Sequence, residues 1–186
     1  MKLLIMGPPG VGKGTQADCI KNELMILHLS TGEILRAEVD AKSVIGRNAK
    51  LYMDFGRLVP DNILIEIVTE RISKSDCQNG YILDGFPRTL PQAKGLDEMM
   101  HSIGHDLDCA ISLTANKDEL LDRLIKRGEE AGRSDDNPDV IRNRQKIYWE
   151  QTAPLLDFYH DKGIVKEVDG LGEIPEITKR ILDVLK

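Results

Sequence analysis

Short apolar runs alternate along the chain with longer stretches of helical periodicity. The runs occupy Leu3–Met6, Met25–Leu29, Tyr81–Leu83, Cys109–Leu113 and Ile164–Val168. Runs this short and this apolar are typical of strands that are buried on both faces of a parallel sheet. Their alternation with helical segments predicts an α/β fold with a doubly wound parallel sheet of five strands.

The helical segments carry start signals that can be read from residue spacing. Three pairs have the spacing of a capping box: Ser30 with Glu33, Thr89 with Gln92, and Asn116 with Glu119. Asn137 followed by Pro138 predicts a further helix start. The last helix is expected over Ile174–Leu185, with one apolar face formed by Ile174, Ile177, Ile181 and Val184.

Two segments do not fit a simple crossover between strands. About 50 residues of mostly helical pattern separate the second apolar run from the third, which is more than a crossover needs. Residues 30–59 are therefore predicted to form a small helical insertion over the carboxyl edge of the sheet, where ligands bind in open α/β sheets. A second protrusion is predicted at residues 128–136, a polar run rich in glycine and charge.

A glycine-rich loop follows the first apolar run directly. Gly7, Gly12 and Lys13 have the P-loop spacing, although Gly14 stands where the usual motif has Ser or Thr, and Thr15 comes one residue later. Glycines let the backbone turn tightly and aim its N–H groups at an anion, and the following helix adds its positive dipole end. The loop predicts a site for a nucleoside triphosphate.

The overall composition argues against several classes of partner. The formal net charge is −6 and the pI is near 5.3, whereas a general nucleic-acid binder needs a basic face. Aromatic residues make up 4% of the chain, which is few for stacking single-stranded bases. No apolar run is long enough for a signal peptide or a membrane span, so we expect a cytoplasmic protein that binds neither nucleic acid nor membranes.

The cysteines indicate neither a metal site nor a disulfide framework. Cys19, Cys77 and Cys109 are odd in number and far apart, and no C-x-x-C pair is present. We expect buried, reduced thiols in a reducing compartment. The four histidines also lack metal-ligand spacing, and we expect structural or solvated roles for them.

Several arginines lie in loops or beside glycines near the predicted ligand edge: Arg36, Arg88, Arg123, Arg127, Arg133 and Arg144. Guanidinium groups bind phosphate with two parallel hydrogen bonds and keep their charge when desolvated. A phosphate acceptor is already anionic near neutral pH, so transfer to it needs no general base. Many cations and no evident base therefore favour phosphoryl transfer between two phosphates.

Five motifs, in order along the chain, resemble those of the adenylate kinases. They are Gly7–Gln16, Leu29–Arg36, Gly56–Asp61, Leu83–Gln92 and Gly132–Asn137, and the Asp84–Arg88 element within them is specific to nucleoside monophosphate kinases. The similarity runs nearly end to end. It implies a P-loop NTPase-like fold and the reaction Mg-ATP + AMP ⇌ 2 ADP, with Mg²⁺ as the cofactor.

The resemblance also implies roles for individual residues. ATP would be bound by Gly10, Val11, Gly12, Lys13, Gly14, Thr15, Arg123, Arg127 and the backbone of Gly172. AMP would be bound by Thr31, Arg36, Arg57, Leu58, Val59, Gly85, Phe86, Pro87, Arg88, Gln92, Arg133 and Arg144. The catalytic set would be Lys13, Arg88, Arg127, Arg133 and Arg144, and Asp84 would hold Mg²⁺ through water. Because Gln92 also has capping-box spacing, its side chain has two competing roles.

The resemblance further implies how the chain is organised. Residues 1–186 would form one kinase domain, with residues 30–59 as the NMP-binding insertion and residues 127–137 as a short lid. Many bacterial members have a longer lid, some with four cysteines for zinc, so no zinc is expected here. We expect a monomer. Glu33 stands where Asp is more usual in the family.

Three alternatives stay open at this point. A UMP/CMP kinase shares the fold and the arginines, but Thr31 and Gln92 favour adenine over that group's usual Ala and Asn. A GTP-binding switch is suggested by Asn116–Glu119, although Glu119 replaces the Asp of the guanine motif. A catalytically inactive nucleotide-binding module is disfavoured because Lys13 and every expected arginine are present.

Overall fold

The strands form one parallel sheet. The structure is a computed structural model that describes residues 1–116, 119–125 and 137–186. Within these ranges the strands are β1 (Lys2–Met6), β2 (Leu27–Ser30), β3 (Tyr81–Asp84), β4 (Cys109–Thr114) and β5 (Val165–Asp169). Their order is β2-β3-β1-β4-β5, and every neighbouring pair is parallel. The predicted doubly wound five-stranded sheet is confirmed.

Helices connect and cover these strands. They are α1 (Lys13–Leu24), α2 (Thr31–Asp40), α3 (Val44–Met53), α4 (Asp61–Ile72), α5 (Leu90–Ser102), α6 (described over residues 119–125), α7 (Pro138–Ile147), α8 (Leu155–His160) and α9 (Ile174–Val184). A 3₁₀ turn spans Ser75–Asn79, and a π turn spans Tyr148–Thr152. No helix in the described ranges is long and apolar enough to cross a membrane.

Several helices begin with a side-chain cap at the residue that the sequence spacing predicts. The hydroxyl of Ser30 accepts from the Glu33 N–H, that of Thr89 from the Gln92 N–H, and the amide oxygen of Asn137 from the Val140 N–H. The Asn116–Glu119 pair spans residues 117–118, which lie outside the described residues.

The sheet separates two apolar layers. Along β1, Leu3 and Ile5 pack in one layer while Leu4 and Met6 pack in the other. This alternation follows from the two-residue period of a strand. Because both faces are covered, the strand reads as a continuous apolar run.

The second and fifth strands differ from their predictions. Met25 does not belong to β2; it ends α1 in a left-handed conformation at φ 52° and is 86% exposed. β5 is not buried on both faces, since Lys166 and Glu167 are exposed. β5 pairs only with β4, so an edge position explains its polar residues.

Helices α2 and α3 fall within the predicted insertion and touch each other closely at Gly46. A Cβ at this position would lie 2.0 Å from the backbone oxygen of Glu38. Gly46 is therefore required for helix packing, and it lies inside α3 rather than in a turn.

We expect Gly46→Ala to lower the free energy of unfolding by about 1–3 kcal/mol, because the backbone of α2 must move to admit the methyl group. The matched control is Gly95→Ala in α5, where the nearest atom is the flexible Ile65 Cδ1 at 2.9 Å. Urea unfolding of both variants measures the difference. Equal stability of the two variants would contradict this account of α2–α3 packing.

Candidate active site

The loop between β1 and α1 leaves open space in front of a helix N-terminus. Gly12 caps α1 at φ 96°, a left-handed conformation that favours glycine. A Cβ added there would meet no atom within 4 Å. The backbone N–H groups and the dipole of α1 therefore face a space that an anion can occupy.

Lys13 lies across this loop. Its Nζ donates to the carbonyl oxygens of Gly7 at 2.8 Å and Pro8 at 3.1 Å. Gln145 of α7 also reaches the loop, donating from Nε2 to the Pro9 oxygen at 3.1 Å. Lys13 and Gln145 thus both bond to carbonyl oxygens of the loop. The ammonium group of Lys13 lies beside the space in front of α1.

A cleft of about 930 Å³ extends from this loop along the carboxyl edge of the sheet. Among the predicted site residues, it brings together Gly10, Val11, Gly12, Lys13, Gly14, Thr15, Arg36, Leu58, Asp84, Gly85, Pro87, Arg88, Arg123, Arg144 and Gly172. Residues far apart in sequence therefore line one cavity.

A smaller pocket of about 70 Å³ adjoins the cleft beneath α2 and α3. Arg36, Arg88 and Arg144 line both spaces. Five further predicted residues line the pocket, either alone or with the cleft: Thr31, Arg57, Leu58, Val59 and Gly85. The cleft and the pocket together form one continuous site with the three arginines at the junction.

Arg88 is held by the segments around it. Its Nε donates to the Gly85 oxygen at 2.8 Å, and its backbone N–H donates to Gln92 Oε1 at 2.7 Å. Thr152, in the π turn after α7, donates its hydroxyl to the Arg88 oxygen at 2.9 Å. These bonds fix the main chain while the guanidinium lines the cleft.

Gln92 and Phe86 lie behind the cleft wall. Their exposed fractions are 0% and 1%, and neither lines the cleft or the pocket. Gln92 Nε2 donates to Asp61 Oδ1 at 2.7 Å. In a complete capping box the Gln92 side chain would accept a hydrogen bond from the backbone N–H of Thr89. The Gln92 amide oxygen instead accepts from the Arg88 N–H, so this half of the expected capping box is absent. Its contact with adenine stays a prediction.

The far end of the cleft is bounded by the segment before α9. Gly172 lies there at φ 118°, and Arg123 of α6 donates to the Gly170 oxygen at 3.3 Å. Ile174 lines the cleft and is 49% exposed, whereas Ile177 and Ile181 are buried. The predicted apolar face of α9 thus ends in the cleft. An exposed apolar side chain beside a guanidinium suits the face of an aromatic base.

A histidine outside the predicted set joins two acids at the cleft. The side chain of His28, in β2, is 5% exposed, with Nδ1 3.1 Å from Asp18 Oδ1 and Nε2 3.4 Å from Asp84 Oδ2. Burial would lower the pKa of His28, but pairing with Asp84 and Asp18 raises it. Spacing alone carries no sign of this role, because the three residues come from α1, β2 and β3.

Asp84 is charged despite its burial. Burial would raise the pKa of its carboxyl group, but the His28 pairing and the positive charge of Lys13 hold it below its ordinary value. A Cβ on Gly14 would lie 3.5 Å from Asp84 Oδ2, so the carboxylate faces the start of α1. A charged carboxylate in a cleft is a hard oxygen donor of the kind that Mg²⁺ prefers.

Cys19 lies at this side of the cleft and is only partly buried, unlike Cys77 and Cys109. The expectation of three buried thiols is thus wrong for Cys19. The predicted site residues Arg127 and Arg133 lie outside the described residues, as do all but the last residue of the predicted lid.

The sequence matches those of known proteins. The family model for adenylate kinase matches residues 5–164. The chain belongs to the adenylate kinase family.

Individual adenylate kinases match over nearly their whole length. The chain is 48% identical to the adenylate kinase of Nocardioides sp. over all of this chain and 97% of the relative. It is 49% identical to that of Leptospira biflexa over 97% of both chains, and 46% identical to that of Stenotrophomonas maltophilia over the full length of both. These relatives favour the adenylate kinase interpretation over the UMP/CMP kinase alternative.

The His28 pairing predicts a pH-dependent contribution to stability in this member of the adenylate kinase family. Since the pKa of His28 is raised on folding, its stabilisation is present below about pH 6.5 and is lost as pH rises through the raised value. At the acid end, Asp18 and Asp84 have lowered pKa values, so their stabilisation is present above about pH 4 and is lost as pH falls through those values.

Urea unfolding of the wild type and His28→Gln between about pH 5 and pH 9 measures this contribution. We expect the stability difference between them to be largest near about pH 5–6 and to shrink toward about pH 9. His101→Gln, at an exposed position, is the control. A difference that is constant across this range would contradict the pairing.

Proposed function

We propose that the chain transfers a phosphoryl group reversibly from Mg-ATP to AMP, giving two ADP. The single observation that carries this proposal is the continuity of the cleft at the P-loop with the arginine-lined pocket beneath α2 and α3. One nucleotide can bind at each end with its phosphates meeting between them. Membership of the adenylate kinase family, and relatives that bear this name, support it.

The donor end of the cleft suits a nucleoside triphosphate. The loop N–H groups and Lys13 offer positive charge to the phosphates, and Arg123, Gly172 and Ile174 offer a base an apolar and cationic wall. The cavity volume of about 930 Å³ is ample for this ligand.

The acceptor end suits a nucleoside monophosphate. Arg36 and Arg88 line the junction with the pocket, where an acceptor phosphate would lie, and Arg144 faces the same junction from α7. Thr31, Leu58 and Val59 would then contact the nucleoside. We infer that helices α2 and α3 form an NMP-binding insertion, and that residues 127–137 form a short lid over the cleft.

The chemistry requires positioning and charge stabilisation rather than a general base. The oxygen of the acceptor phosphate is already anionic, and Lys13, Arg88 and Arg144 would neutralise charge on the equatorial oxygens during transfer. By bringing two anions together, these side chains remove the repulsion that keeps the substrates apart in water.

Asp84 fits a magnesium ion carried by the nucleotide. Among the described residues, no group of three or more His, Cys, Asp or Glu could hold a metal ion. Mg²⁺ usually keeps several waters and binds substrate phosphates with one or two carboxylates, so a single charged Asp84 is a suitable protein contribution. When bound, the ion would offset charge on the β- and γ-phosphates.

We infer that the protein works as a cytoplasmic monomer.

The direct test offers AMP, CMP, UMP and GMP separately to the protein with Mg-ATP and measures diphosphate formation. We expect rapid ADP formation with AMP and much slower transfer to the other three. A preference for CMP or UMP would replace AMP as the acceptor and leave the mechanism unchanged. Binding of Mg-ATP without transfer to any acceptor would contradict the proposed activity.

Arg88→Ala tests the junction between the two ends of the site. We expect kcat to fall by a factor of about 10³, because a guanidinium that stabilises phosphoryl transfer contributes factors of this order. Arg142→Ala, which removes an exposed arginine of α7 that pairs with Asp139 at 3.2 Å, is the matched control. Unchanged kcat in a normally folded Arg88→Ala protein would remove Arg88 from the catalytic set.

A further inference from the structure

Gln16 is a buried polar residue that no step of the proposed mechanism uses. It is the last residue of the P-loop motif, lies in the first turn of α1, lines the cleft and is 2% exposed. Thr15, the residue before it, is exposed. A buried amide needs partners for its N–H groups and its oxygen, because leaving them unpaired is costly.

Both ends of this amide are bonded to the start of α9. Gln16 Nε2 donates to the Ile174 oxygen at 3.2 Å, and Gln16 Oε1 accepts from the Thr178 hydroxyl at 2.8 Å. The Thr178 hydroxyl is also 2.9 Å from the Ile174 oxygen, so the three groups form one cluster.

The segment that Gln16 holds is the far wall of the donor end. Residues 170–173 connect β5 to α9, and both Gly172 and Ile174, the first residue of α9, line the cleft. The beginning of this segment is held separately, since Arg180 donates to the Leu171 oxygen and Arg123 donates to the Gly170 oxygen. Gln16 is thus the contact that ties the end of the segment to the phosphate-binding helix.

We propose that Gln16 is a positioning residue for the nucleoside of the donor. Its amide holds Gly172 and Ile174 at a set distance from the P-loop, so that a triphosphate bound at the loop meets this wall with its base. The inference rests on the proposed function, because it takes the donor to be a nucleoside triphosphate. Gln16 touches neither phosphate nor base in this role; it acts through the backbone of residues 172–174.

The test compares ATP with a ligand that has phosphates and no nucleoside. Gln16→Met keeps the length and apolar volume of the side chain and removes both hydrogen bonds. Calorimetry then measures binding of ATP and of inorganic tripolyphosphate to the wild type and the variant. We expect ATP affinity to fall about 5- to 10-fold, as for one or two lost hydrogen bonds, and tripolyphosphate affinity to stay within about twofold.

Steady-state kinetics supply a second readout. We expect the KM for ATP to rise by the same factor of about 5–10 in Gln16→Met, while the KM for AMP and kcat stay within about twofold. Thr178→Val, which removes the hydroxyl partner from outside the P-loop helix, is expected to show a smaller change in the same direction. It also serves as the test should Gln16→Met not fold.

The matched control is Thr69→Val. Thr69 donates its hydroxyl to the Ile65 oxygen within α4, away from the cleft, and its loss should leave all affinities unchanged. If Gln16→Met lowered the affinities for ATP and for tripolyphosphate equally, the inference would be overturned, because Gln16 would then act on the phosphate-binding loop. Unchanged ATP binding would also overturn it. If the wild type bound ATP but formed no ADP, the proposed function would be contradicted. The comparison of ATP and tripolyphosphate binding would still test the role of Gln16.

Discussion

The parallel pairing of β1 with β3 is the constraint on which the site depends. In this pairing Ile5 lies opposite Asp84, so both strands end at the same edge of the sheet. The P-loop that leaves β1 and the 84–88 segment that leaves β3 therefore emerge side by side. This arrangement brings the positive start of α1 to the same cleft as the Asp84 carboxylate and the Arg88 guanidinium, although Asp84 comes 71 positions after Lys13 in the sequence.

Side-chain amides and hydroxyls that are buried or half-buried hold the loops that the sheet itself does not reach. Gln145 bonds the P-loop at Pro9, Thr152 and Gln92 hold the backbone of Arg88, and Gln16 holds the start of α9. Each such group must find a partner once it is buried, so each fixes one geometry of the loop it contacts. These bonds attach the loops of the site to neighbouring helices, which favours a preorganised cleft.

The charge arrangement at Asp84 shows how burial and pairing compete. The carboxylate loses solvation, yet His28 and Lys13 keep its pKa below the ordinary value. The charged form is the one that can hold hydrated Mg²⁺. His28 also pairs with the exposed carboxylate of Asp18, so the stability of this corner and the state of the site residue depend on the same histidine.

Local spacing determined the strands, the helix caps and the glycine-rich loop, because these depend on side-chain periodicity and on hydrogen bonds between near neighbours. Many of the site residues that the five-motif resemblance implies also line the cleft. Tertiary structure alone decided that Gln92 is buried against Asp61, that Ile174 opens into the cleft and that His28 joins two acids. These facts depend on contacts between elements distant in sequence, and a one-dimensional pattern carries no distance between such elements.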